Sequence, residues 1–204
     1  MEEIKEFGQK QQGSIQCLSI IGHVEGHQIL PEDMKTTKYE HVMPMLAAIE
    51  ESPEIKALLI LINTAGGDVE AGLAIAELIA GLSKPTASLV LGGGHSIGVP
   101  MAVAADRSFI AASASMILHP VRINGLVIGA EQSFAYLAQM QNRITDFVTL
   151  HSKIDRAEYN RLINQTDKLA NDIGTVLSGK EAVELGLIDR LGSLSDALRF
   201  LHGL

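Results

Sequence analysis

The segment Gly94-His95-Ser96-Ile97-Gly98 fits Gly-x-Ser-x-Gly and stands between an apolar run and a stretch of small residues. Glycines on both sides of a serine permit a sharp turn from strand to helix that presents the hydroxyl, and the backbone N–H after the serine can then face an oxyanion. A serine in this place also makes an ordinary helix N-cap. A second glycine-rich turn, Asn63-Thr64-Ala65-Gly66-Gly67-Asp68, closes another apolar run. Its glycines let a backbone N–H approach a ligand without a Cβ in the way, and Asp68 has the character of a cap for the following helix. Two such N–H donors converging on one developing negative charge make an oxyanion hole, in which losing one donor typically costs about 2.7–4 kcal/mol of the barrier.

Chemistry at a serine needs a base. His119 follows a short apolar run and precedes Pro120, and an imidazole fixed at a strand end is placed for general base work. A packed or surface histidine is the plainer reading of any one imidazole. Asp172, in Asn171-Asp172-Ile173-Gly174, is of the type that orients an imidazole and stabilises its cation. Asp167 is an alternative nearby, and either residue is also at home in a solvated turn. Metal chemistry has little support. His23 and His27 are four residues apart, but the segment is not helical and no third ligand has matching spacing. The glycine-rich turns do not fit Gly-x-x-x-x-Gly-Lys-Ser/Thr, so a nucleotide phosphate loop is not expected.

The elements around these residues set their positions. Residues 14–21 and 86–91 read as strands, and the unalternated aliphatic run 57–62 reads as a strand buried on both faces. Residues 107–111 and 115–118 read as shorter strands. Helical spacing covers residues 39–51 and 69–82, and a small-residue helix starts at 100–105. The longest helix spans 131–151, with Phe134, Leu137, Ile144, Phe147 and Val148 on its apolar side. Residues 155–164, 179–185 and 195–201 complete the helices, while 22–38 is a long polar stretch with the length of a functional loop. Strands alternating with helices, the strands buried, predict an α/β domain with a largely parallel sheet.

The composition agrees. The chain has 204 residues, 47% hydrophobic and 20% charged, enough for one domain with a sizeable core and unlike a disordered or fibrous chain. A net charge of −8 argues against nucleic acid or anionic lipid as partner. The single Cys17 forms no internal disulfide and fits a reducing compartment. No segment reaches the roughly 18 apolar residues that span a bilayer, and the charged start Met1-Glu2-Glu3-Ile4-Lys5-Glu6 lacks the apolar stretch of a secretory signal. The expectation is a cytoplasmic protein with a mobile segment 1–13 and a single domain over 14–204.

Taken together these residues resemble the proteolytic subunit of the Clp protease, a serine peptidase of the ClpP/crotonase fold. The likeness runs from about Cys17 to Leu191. Ile62-Asn63-Thr64-Ala65-Gly66-Gly67 is similar to the family's Ile-Asn-Ser-Pro-Gly-Gly turn, and Gly94-His95-Ser96-Ile97-Gly98 to its nucleophile turn. Met116-Ile117-Leu118-His119-Pro120 resembles its histidine segment, and residues 177–189 its closing helix and strand. The runs 117–122 and 172–177 look most like the translocation-enhancing branch of the family. The resemblance implies Ser96 as nucleophile, His119 as base, Asp172 as third member, and the N–H groups of Gly67 and Ile97 as the oxyanion hole. An ungapped match puts Gly174 in the acid's slot and leaves Asp172 two residues upstream. The chain order Ser, His, Asp differs from that of an α/β-hydrolase. The resemblance further implies peptide or unfolded protein as substrate, no cofactor and no metal. It also implies a homo-oligomer of stacked, commonly heptameric rings that meet through the projecting long helix; an ATPase unfoldase partner stays open because 22–38 is extended. The alternatives are a crotonase-like acyl-CoA enzyme using the same paired N–H groups and a catalytically silent scaffold of the same fold.

Overall fold

The aliphatic run at residues 57–62 organises the domain because its side chains alternate between two cores. Leu58, Ile60 and Ile62 enter the larger core, and Ala57 and Leu59 enter the smaller one on the opposite face. A computed structural model of the chain describes residues 13–123, 125, 128–167 and 172–203. All but Gly13 of the segment read as mobile lies outside the described residues.

In chain order the elements are β1 (Ile15–Glu25), β2 (Thr36–Lys38), α1 (Tyr39–Glu51), β3 (Ala57–Gly67), α2 (Val69–Ala80), β4 (Thr86–Gly94) and α3 (Gly98–Val103). They continue with β5 (Arg107–Ile110), β6 (Ser115–Leu118), α4 (Ala130–Leu150), α5 (Arg156–Ile163), β7 (Thr175–Ser178), α6 (Gly179–Glu184), β8 (Arg190–Leu191) and α7 (Leu194–His202). The main sheet runs β2-β1-β3-β4-β5-β8 with every pairing parallel. A side branch leaves it at β4, where β6 pairs in parallel through Gly93 and Ser115, and β7 then pairs antiparallel with β6. The α/β reading with a largely parallel sheet is therefore borne out.

The larger core lies under α1, α2 and α3, which contribute Leu46, Ile49, Ile75, Ile79 and Met101. The smaller core packs Leu59, Leu89 and Phe109 against Ala197 and Leu201 of α7. The long helix α4 buries Met140, Ile144, Phe147 and Val148, all in its second half. Phe134 is 75% exposed and Tyr136 is 52% exposed, so the apolar side read from the sequence covers this domain only from Met140 onward. Among the described residues its first half places no buried side chain in either core.

Three strands are longer than their apolar runs. β1 continues through Gly22 to Glu25, β3 through the glycine turn to Gly67, and β4 to Gly94. Each register shifts once on the way, between Gly22 and His23 and between Ile62 and Thr64. Such irregularities bend a strand and re-aim its end. The result is that Thr64 sits opposite Gly94, and both glycine-rich turns emerge side by side at the carboxyl edge of the sheet, the usual place for a site in a parallel α/β sheet.

Candidate active site

The first turn is shaped by close approach. Gly66 has φ +94°, and a Cβ on it would lie 2.6 Å from the Cβ of Ser96. A Cβ on Gly67 would lie 2.2 Å from the carbonyl oxygen of Val24. No side chain fits at either position without moving the neighbouring backbone or the serine. Thr64 ties this turn down, its Oγ1 donating to the Gly22 carbonyl at 2.6 Å and accepting the Gly66 N–H at 3.0 Å. Asp68 then caps α2 by accepting the Ala71 N–H at 2.9 Å, which is the capping role its type suggested. His27, from the long 22–38 stretch, lies 3.7 Å from Asp68, with its ring tilted against that of Tyr39, so that stretch is folded back onto this turn.

The second turn carries Ser96 at φ +54°, the one non-glycine residue with positive φ among those described. A serine held there is strained, and such strain concentrates at functional positions. The turn is fastened by the His95 N–H to the Thr64 carbonyl at 3.1 Å and the Ser96 N–H to the Ile117 carbonyl at 2.9 Å. Ser96 is not a helix cap. The N-cap of α3 is Ile97, with no side-chain capping bond. Among the described residues neither the Ser96 hydroxyl nor the Ile97 N–H has a hydrogen-bond partner.

Ser96, Gly67, Ile97 and His119 line one cavity of about 100 Å³, together with Arg122 and Tyr159. Four of the five residues singled out from the sequence thus meet across one small space. Burial pushes the Tyr159 phenol well above its ordinary range, so it stays neutral there. The His119 ring lies 2.8 Å through Nδ1 from the carbonyl oxygen of Pro120. A carbonyl only accepts, so Nδ1 carries the proton and Nε2 of the neutral ring holds the free lone pair. That is the tautomer a general base acting through Nε2 requires. Ser96 and His119 share no hydrogen bond among the described residues.

Asp172 is placed differently. Its carboxylate is 2.7 Å from the Arg122 guanidinium and accepts the Ile173 N–H at 2.8 Å. It does not line the cavity and shares no hydrogen bond with His119 among the described residues. Asp167, the alternative from the sequence, also lies outside the cavity lining. Three residues of the site were not singled out in the sequence. His95 accepts the Ile117 N–H through Nδ1 at 3.1 Å, and its signal was a histidine set between Gly94 and Ser96. Arg122 closes the run 117–122, which was read only for its likeness to a branch of the family, and Tyr159 comes from a helix; the folded chain brings both to the cavity.

A Clp protease family model matches residues 12–194 of the chain. The translocation-enhancing protein TepA of Halalkalibacterium halodurans is 52% identical over 206 residues, covering 98% of this chain and 80% of that protein. The ATP-dependent Clp protease proteolytic subunit 1 of Protochlamydia amoebophila is 24% identical over 139 residues, covering 67% of this chain and 65% of that one. Among solved structures, a ClpP1 mutant from Listeria monocytogenes superimposes with a TM-score of 0.70 at 20% identity, over 89% of this chain and 94% of that one. At that identity the likeness is one of fold. The resemblance read from the turns and the closing helix, and its leaning toward the translocation-enhancing branch, agree with these matches. With a family match that spans nearly the whole described domain, the chain belongs to the Clp protease family.

Proposed function

We propose that this chain is a serine peptidase that cleaves peptides or unfolded protein segments through an acyl-enzyme on Ser96. The observation that carries the reading is the strained Ser96, its hydroxyl without a partner among the described residues, sharing a small cavity with the Nδ1–H tautomer of His119. His119 Nε2 takes the hydroxyl proton as Oγ attacks the substrate carbonyl carbon. The N–H groups of Gly67 and Ile97 receive the oxyanion. The imidazolium then returns its proton to the leaving amine, and water activated by the same nitrogen releases the acid product.

In this reading the Pro120 carbonyl fixes the ring of His119, a task that a carboxylate performs in a full triad. Asp172 takes part as the partner of Arg122, which lines the cavity wall. A hydrogen bond between Ser96 and His119 forms when substrate fills the cavity, as catalytic contacts that are loose at rest commonly do. Closed rings supply the rest of the enzyme. The bare first half of α4, with Phe134 and Tyr136 exposed, provides a face for a mate of the same chain.

The test is intact mass after treatment with a fluorophosphonate probe, with Ser96→Ala as control. One adduct per chain, absent from the variant, is the expected result. No adduct on a protein shown to be folded and assembled overturns the proposal. It would then favour a silent scaffold or an acyl-CoA enzyme that needs the paired N–H groups and no serine.

A further inference from the structure

Ile117 stands two residues before His119, and both of its backbone groups are taken by the turn that carries Ser96. Its carbonyl accepts the Ser96 N–H at 2.9 Å, and its N–H donates to Nδ1 of His95 at 3.1 Å. Main-chain pairing between β4 and β6 consists of Gly93 opposite Ser115. Beyond that point the imidazole supplies the acceptor that a longer strand would have offered. The ring also has a seat cleared for it. A Cβ on Gly93 would lie 2.4 Å from His95 Nε2, and the next nearest atoms, at 2.9 Å, are carbons of the same imidazole.

From this geometry we infer that His95 is a positioning residue, whose Nδ1 lone pair pins β6 to the nucleophile turn and so sets where His119 stands relative to Ser96. The inference rests on the peptidase reading for the reaction that is positioned. The contact exists only while Nδ1 is unprotonated, because a protonated nitrogen cannot accept the Ile117 N–H. The titratable group that acts on His95 is His119, across the same turn. Burial, and then the neighbouring charge of His119 when it is protonated, hold His95 below the ordinary histidine range. The pin therefore stays in place at neutral pH. It connects the two chemical residues through one backbone unit, so a shift of β6 moves the base and the nucleophile turn against each other.

The experiment follows two readouts on the full chain: the rate at which a fluorophosphonate labels Ser96, and hydrogen exchange at the Ile117 amide. His95→Ala strands a backbone N–H and is expected to label about ten- to a hundredfold more slowly, with Ile117 losing protection. His95→Asn offers Oδ1 in place of Nδ1 and is expected to recover most of the rate and the protection. Gly93→Ala puts a methyl where the ring lies. It should slow labelling by a similar factor in the native chain, yet by less than about twofold when added to His95→Ala, because both changes remove one contact. Native labelling with a protected Ile117 in His95→Ala overturns the inference. So does a His95→Asn chain as slow as His95→Ala with Ile117 protected. Should His95→Ala fail to fold, acid titration of the native chain decides: Ile117 protection must fall with a midpoint below about 6.5, and protection retained through that range overturns the inference. If the native chain takes no label, the peptidase reading fails, while the Ile117 exchange still decides whether His95 pins β6.

Discussion

Replacing Asp172 by asparagine separates two ways of orienting His119. The change is nearly isosteric, and asparagine keeps an oxygen to accept the Ile173 N–H that Asp172 now accepts at 2.8 Å. What it removes is the charge facing Arg122 at 2.7 Å, in a pair whose side chains are 48% and 43% exposed. Ion pairs this open to water contribute about 0.2–1 kcal/mol, which converts to less than about fivefold in a rate even if all of it acts on the transition state. A carboxylate bonded to the base in an aligned triad is worth about 10⁴-fold. The structure gives the ring of His119, the proposed base, a different partner, the Pro120 carbonyl at 2.8 Å. Asp172→Asn is therefore expected to change kcat/KM on a fluorogenic peptide, and the labelling rate of Ser96, by less than about tenfold. The assay is run at low and at high salt, since a contribution through Arg122 should shrink on screening. A loss of a thousandfold or more in a folded, assembled variant would refute the reasoning. It would mean that Asp172 leaves Arg122 and takes Nδ1 of His119 in the working state.

Other expectations follow from contacts around the same framework. Gly66→Ala forces a Cβ to 2.6 Å from that of Ser96 at φ +94°, and should cost about 2–5 kcal/mol in denaturant unfolding, with labelling lost in parallel; an active variant of native stability would show that the turn has room. Thr64→Val leaves the Gly66 N–H and the Gly22 carbonyl without their 3.0 Å and 2.6 Å partners, and should destabilise by about 1–3 kcal/mol, measured as a lower denaturant midpoint at unchanged slope. Burial works against ionisation of Asp189, but Lys153 at 2.8 Å and the Ser108 N–H at 3.1 Å outweigh it and hold the carboxyl below its ordinary value. Its stabilising effect is thus complete above the ordinary aspartate range and is lost as the pH falls through the lowered value; Asp189→Asn should flatten that acid limb of the stability profile, and an unchanged limb would remove Asp189 from the account.

Much of this architecture was visible in the residues. The helices at 39–51 and 131–151 were readable to within one residue, since a continuous apolar stripe marks them. Both glycine turns were found because they combine chemistry-bearing types with a break in an aliphatic run. Their status as strand was missed, because glycine carries no strand pattern even where backbone pairing continues to Gly67 and Gly94. β7 went unread for a related reason: Thr175–Ser178 is four residues long and alternates buried with exposed side chains, too short a signal to separate from a loop. At the site, Ser96 and His119 stood out by local context, while the partner of Asp172 did not. Arg122 lies 50 residues upstream of it, and no local pattern encodes which cation a surface carboxylate will meet. The burial of α4 was legible in period and not in extent, since a stripe says which side is apolar and nothing of how far a neighbour reaches.

The bond from His119 to the carbonyl of Pro120 lies beyond the reach of side-chain substitution at Pro120. An orienting carboxylate can be deleted by one substitution and is silenced by acid. An orienting peptide oxygen belongs to the chain itself, so it survives every side-chain change at its own position and does not titrate. A mutational scan of side chains would therefore pass over this contact even where it reports His119 itself. If His119 is the base proposed above, the group that orients it is tested by backbone chemistry, such as an amide-to-ester exchange between Pro120 and Val121 that weakens the carbonyl as an acceptor.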